Sequence, residues 1–185
     1  MPLIGVVFFF SKSPRYIPEP IIRAKIYALF LLTIVLPILL FFLLKSRGKI
    51  SSIYLPSTQE RILPLLLNII IVTLITRRIL PSNELLELHY FFIGILFSTM
   101  TCLVLALLKF KASIHMIAAA GVLMFFIALS IHYNININGS LAIFFIITGA
   151  IATSRLHLKA HSSIELLVGF LIGFTPQLIL LNYWL

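Results

Sequence analysis

Six stretches of this chain stay apolar for about twenty residues each, the length a helix needs to cross the hydrocarbon core of a bilayer. Short polar connections separate them. The pattern predicts spans over residues 26–44, 62–80, 88–108, 113–131, 141–156 and 163–185. Pro37 marks a kink in the first, because a proline inside a helix removes one hydrogen bond and crowds the preceding turn. Arg77 and Arg78 close the second, and an Asn138-Gly139 turn precedes the fifth. The first ten residues are apolar but too short to span and lack the basic start of a secretory signal. They read as an interfacial or re-entrant segment, with Pro14, Pro18 and Pro20 breaking its continuation. The expected architecture is therefore all-α: a single transmembrane domain over residues 1–185, with a short N-terminal interfacial segment (1–21) and a six-helix bundle (22–185).

Composition strengthens this picture. Of the 185 residues, 61% are hydrophobic and 10% charged, against roughly 25% charged in a soluble domain. Lipid must be the solvent for most of such a surface. The net charge of +9 would suggest nucleic acid in a soluble protein. Here the basic residues sit at the ends of apolar runs, without interleaved aromatics, so nucleic acid is discounted in favour of anionic headgroups or a phosphate ligand. The single cysteine, Cys102, lies inside a span. Gly169 and Gly173 form a small-xxx-small pair that reads as helix packing.

An even number of spans has a consequence for chemistry. Both termini fall on one side, and three connections gather on the other: residues 45–61, 109–112 and 156–162. The latter two contain Lys109, Lys111, Lys159 and His161; the last follows directly on Arg155, and they lead into Ser113, His115 and Glu165. Glu165 is the one carboxylate side chain beyond Glu87. Ionisable groups at membrane depth are functional candidates by default. His161 and Glu165, at i and i+4, share a helix face, and a carboxylate beside an imidazole sets its tautomer and raises its basicity. Ser113 and Ser162 stand at helix starts, where free N–H groups bind anions. Phosphate chemistry suits this face. The competing plain reading is that each basic residue only reaches to headgroups and each histidine is merely hydrogen-bonded. His89 and His132 fall on the other face, and no role is expected for them.

The third connection carries a resemblance. Ser154-Arg155, five residues, His161, three residues, Glu165 is similar to the third motif of the type 2 phosphatidic acid phosphatase superfamily (Ser-Arg, five residues, His, three residues, Asp), with Glu for Asp. Ala112-Ser113-Ile114-His115 resembles its second motif, Pro-Ser-Gly-His, in Ser and His. The family's first motif, Lys, six residues, Arg-Pro, has no counterpart; Lys109 and Lys111 stand nearest its place, and Arg61 in Glu60-Arg61-Ile62-Leu63-Pro64 is a second candidate. The resemblance covers the C-terminal half of the chain and implies roles. His161 would be the nucleophile of a phosphohistidine intermediate, Glu165 its orienting partner and His115 the acid for the leaving alcohol. Arg155, Ser113, Ser154, Lys109 and Lys111 would hold the phosphoryl oxygens. It implies a lipid phosphate substrate, no metal or other cofactor, and a site on the outer face of a bacterial inner membrane. The positive-inside rule points weakly the other way.

Two rival readings remain. His157, His161 and Glu165, with His115, have spacings that would suit a metal-dependent hydrolase. A lipid-phosphate binder or transporter of the same fold, without turnover, is the other.

Overall fold

The computed structural model describes residues 1–52, 55 and 57–185, and they are helical almost throughout, with no strand among them. A short helix α1 (Pro2–Lys12) precedes six helices long and apolar enough to cross a membrane: α2 (Glu19–Ser46), α3 (Thr58–Ile79), α4 (Leu86–Leu107), α5 (Ile114–Tyr133), α6 (Asn138–His157) and α7 (Ser163–Tyr183). The chain thus reads as a multi-pass integral membrane protein. Large apolar side chains such as Phe42, Ile146 and Leu167 point outward, as they must where the surrounding solvent is lipid.

Several element boundaries differ from the hydropathy reading. Helix α1 ends at Lys12, ahead of the prolines, and Pro18 and Pro20 also start α2, with Pro18 as N-cap and Pro20 in the first turn. Proline is well suited there, since its missing N–H is unpaired in any first turn. Asn138 and Gly139 likewise open α6, because Asn136 Oδ1 accepts the Asn138 N–H at 3.1 Å and so caps the start. Pro37 follows a π-helical stretch, Leu31–Val35, within α2. The widened turn makes room for the proline ring.

Helix α1 lies inside the bundle. Val6 and Phe9 have no exposed surface, and Phe8 stacks on Phe126 of α5 with ring centroids 3.8 Å apart. The helix packs among α2, α4 and α5. Charged groups hold its exit: Arg15 reaches Glu87 Oε1 at 3.0 Å, and the Tyr133 hydroxyl donates to the same oxygen at 2.6 Å.

α5 is the central helix, and its pairing with α7 is the most extensive in the bundle. Gly173 makes that approach possible: a Cβ there would run into the Ile117 carbonyl of α5. Pro176, one turn on, cannot donate to the Ile172 carbonyl. Ser98 of α4 donates to it instead at 2.9 Å, which ties three helices at one point. Gly173→Ala is expected to cost up to about 3 kcal/mol, because two backbones would have to part. Gly149→Ala, where a Cβ meets nothing, should be neutral or slightly stabilising. Thermal unfolding of both variants in detergent checks the contrast.

Candidate active site

Helices α3, α5 and α7 all begin on one face, so three positive helix ends converge there. The loops feeding α5 and α7 are built alike. α4 ends in a tight turn in which the Phe110 N–H donates to the Leu105 carbonyl at 2.8 Å, with Lys109 in the left-handed region at φ 62°. α6 ends the same way: Ala160 N–H donates to the Arg155 carbonyl at 3.1 Å, and Lys159 has φ 50°. Such turns satisfy the last free carbonyls of a helix. After each, a few residues lead to a serine N-cap, Ser113 for α5 and Ser162 for α7. The two loops are joined directly. The Ser113 N–H donates to the Glu165 backbone carbonyl at 3.2 Å, and Lys111 Nζ reaches the Ala160 carbonyl at 3.4 Å. Gly169 permits this, since a Cβ there would lie 2.9 Å from the Ser113 carbonyl oxygen.

His161 and Glu165 form the centre. His161 Nδ1 lies 2.8 Å from Glu165 Oε2, and the imidazole is only 5% exposed. The same oxygen accepts the Ser162 N–H at 3.1 Å, while the Ser162 hydroxyl accepts the Glu165 N–H at 3.3 Å. This is a capping box. A structural motif therefore fixes the carboxylate, and the carboxylate fixes the imidazole. With the Nδ1 proton directed at Glu165, the lone pair is left on Nε2. Burial pushes the His161 imidazole below its ordinary value of 6.5, the charges of Arg61 and Lys111 push the same way, and Glu165 partly offsets them. The neutral form is consequently favoured further into acid than in a free imidazole. If turnover needs that form, kcat/KM should fall on acidification only below the ordinary histidine range, as His161 takes up its proton. Lys111→Met should move the acid limb upward and Glu165→Gln should move it further down; a pH–rate profile of each reads the shift.

Arg61 emerges as a member of the site. It is 5% exposed, with Nη1 donating to the Ala112 carbonyl at 2.9 Å and Nε to the Leu55 carbonyl at 3.2 Å. Its remaining N–H groups have no partner among the described residues. Its charge bears on His115, His161 and Glu165, so it brings positive charge to the cluster from a different helix. The signal available in the sequence was an arginine in the first turn of α3, three residues before Pro64.

Other candidates divide. His115 lies on the first turn of α5, exposed, and the charges of Arg155, His161 and Arg61 act on it. The Ser113 hydroxyl is fully buried, caps nothing and has no hydrogen-bond partner; Arg155 Nε is also buried without one. Unpaired buried polar atoms are costly, and both groups are donors that can meet a ligand oxygen. Ser154 and Lys109, by contrast, are exposed and no described hydrogen bond or ion pair joins them to the cluster. Both belong to the helix ends just described: the left-handed turn directs Lys109 outward, and Ser154 precedes Arg155 on the exposed last turns of α6. His157 ends α6, His161 lies in the loop just before the Ser162 N-cap, and Glu165 stands in the first turn of α7. The three do not share a helix face, and no group of three or more His, Cys, Asp or Glu arranged to hold a metal ion occurs among the described residues.

No protein-family model, no curated protein and no solved structure matches this chain.

Arg61→Ala should lower kcat by about 10²–10³-fold, the usual effect of removing one preorganised donor to a developing anion. Arg61→Lys should recover only part of it, since lysine lacks the planar fork. Steady-state kinetics on folded detergent-solubilised protein decides this.

Proposed function

We propose that this protein is a membrane-embedded phosphatase that hydrolyses a lipid phosphate through a phosphohistidine intermediate, a divergent relative of the type 2 phosphatidic acid phosphatases. The observation that carries the reading is the His161–Glu165 contact at 2.8 Å, set beside two arginines from separate helices and the start of α5. Phosphoryl transfer is mainly positioning and charge stabilisation, and this cluster supplies both.

In the proposed first step His161 Nε2 attacks phosphorus. The bond from phosphorus to the lipid oxygen breaks, and His115 gives that oxygen a proton. Glu165 keeps the Nδ1 proton and offsets the charge gained by the ring. Arg61, Arg155, the Ser113 hydroxyl and Lys111 hold the three non-bridging oxygens. In the second step water attacks phosphorus, His115 takes the water's proton, the P–N bond breaks and His161 is regenerated. The site faces outward from a bacterial inner membrane in this proposal.

Phosphate release from a panel of lipid phosphates in detergent with EDTA tests the proposal. Phosphatidic acid, phosphatidylglycerol phosphate and a polyprenyl pyrophosphate form a sufficient panel. Release that survives EDTA and is blocked by vanadate, a mimic of pentacoordinate phosphorus, is the expected result. Tight lipid-phosphate binding without release from any substrate would instead favour the binder.

A further inference from the structure

Four helix ends in this chain close with the same turn. At the end of α2 the Lys49 N–H donates to the Leu44 carbonyl and the Gly48 N–H to the Lys45 carbonyl, both at 3.0 Å. At the end of α5 the Ile135 N–H donates to the Ser130 carbonyl and the Asn134 N–H to the Ile131 carbonyl. α4 and α6, which feed the candidate site, complete the pattern: the Lys109 N–H donates to the Ala106 carbonyl at 3.1 Å and the Lys159 N–H to the Leu156 carbonyl at 2.9 Å. The central residue of each turn is left-handed: Gly48, Lys109, Asn134 and Lys159. Glycine and asparagine suit that conformation, whereas a longer side chain is strained in it. Of the four turns, the two beside the site put a lysine there.

The surroundings of these two turns match as well. The segments read Leu108-Lys109-Phe110-Lys111-Ala112-Ser113-Ile114 and Leu158-Lys159-Ala160-His161-Ser162-Ser163-Ile164, identical at Leu-Lys and at Ser-Ile. Leu108 is 71% exposed and Leu158 61%, and the lysine after each is exposed too. Each turn therefore offers a leucine beside a lysine at its tip. In water that leucine gains nothing. At the border of a bilayer it enters the acyl region while the lysine stays at headgroup level.

Charge selects the partner. On the opposite face Arg15, Arg23 and Lys25 each meet a carboxylate, from Glu87, Glu19 and Glu84. On the site face the carboxylates are already engaged: Glu60 accepts from the Ser51 N–H and hydroxyl, and Glu165 holds His161. Lys45, Arg47, Lys49, Lys109 and Lys159 are exposed, and none has an ion-pair partner among the described residues. Unmatched cations at a membrane border draw anions from outside the chain, and anionic headgroups supply them where the leucines already meet acyl chains. We propose that the turns at Lys109 and Lys159 bind the headgroups of anionic bilayer lipids and so hold the candidate site at headgroup depth. The coupling is direct, since α5 and α7 begin a few residues after the turns and Lys111 Nζ ties the two loops together at the Ala160 carbonyl. The inference goes beyond the phosphatase reading and does not need it.

The test is photocrosslinking in lipid nanodiscs, with phosphatidylglycerol that carries a photoreactive group on its headgroup, followed by peptide mapping. Label is expected on the segments around Lys109 and Lys159. Unlabelled phosphatidylglycerol should compete with it and phosphatidylcholine should not, and high salt should weaken it. Lys109→Gly combined with Lys159→Gly should lower the label by about 25-fold, each lysine at an anionic surface contributing about fivefold. The melting temperature of that variant should hold or rise, because glycine suits the turn. Lys109→Asn with Lys159→Asn serves where the glycine pair does not fold. No label at either turn, equal competition by phosphatidylcholine, or label unchanged in both double variants overturns the proposal and leaves the lysines as helix ends. Displacement of the label by inorganic phosphate also overturns it, since the turns would then belong to the phosphate site. Selective label on a protein that releases no phosphate from any ester removes the phosphatase and supports this inference.

Discussion

His161→Ala is expected to reduce phosphate release to background, a loss on the order of 10⁵–10⁶-fold, the scale seen when a covalent nucleophile is removed. Nothing nearby can substitute. His115 belongs to a different helix and, in the proposed mechanism, faces the leaving group; Glu165 is committed through Oε2 to the Ser162 N–H as well as to His161. The variant should fold normally, because the capping box of α7 depends on Ser162 and Glu165 and not on the imidazole. Lipid-phosphate binding should survive, since Arg61 and Arg155 remain. Phosphate release and binding measured on the same preparation distinguish lost chemistry from lost structure.

His115→Ala carries the second largest effect, about 10²–10⁴-fold in kcat for an alkyl or glyceryl ester, the usual contribution of a positioned acid. Its size should depend on the leaving group. An alkoxide needs a proton as it departs; a nitrophenolate does not. With an aryl phosphate carrying a nitro group the first step should therefore tolerate the substitution almost completely. His161→Ala should abolish turnover of both esters. A loss in kcat/KM, which reports the first step, that is the same for both leaving groups would remove His115 from the acid role.

Much of the fold was legible because the bilayer constrains it so strongly. Twenty apolar residues with no place to hydrogen-bond their backbone except along a helix have essentially one conformation available, and an even count of spans places the three polar connections together. The pairing of His161 with Glu165 was expected from a shared helix face; His161 instead precedes the Ser162 N-cap, and the contact forms because the capping-box carboxylate of Glu165 reaches back past the helix start. What could not be read was tertiary. The insertion of α1 depends on Phe8 meeting Phe126 and on Arg15 meeting Glu87, contacts far apart in sequence; a ten-residue apolar run alone reads equally as interfacial or re-entrant. Arg61 looks like any arginine at the end of a span, and its burial appears only when the Ala112 carbonyl arrives from another helix. Lys109 and Ser154 matched a charge or a motif position, yet the left-handed turn at Lys109 and the exposed end of α6 keep them from the cluster. Helix boundaries at Pro18 and Asn138 were misread because both residue types serve equally as breakers and as helix starts.

The covalent intermediate is the central claim, and rapid acid-free quenching tests it most directly. Protein mixed with a lipid phosphate labelled in its phosphoryl group, in EDTA, should retain label that survives alkali, is lost in acid and maps to the peptide containing His161. His161→Ala should retain none. Label that survives acid, label that persists in His161→Ala, or steady hydrolysis with no labelled protein at any time point would each contradict the account.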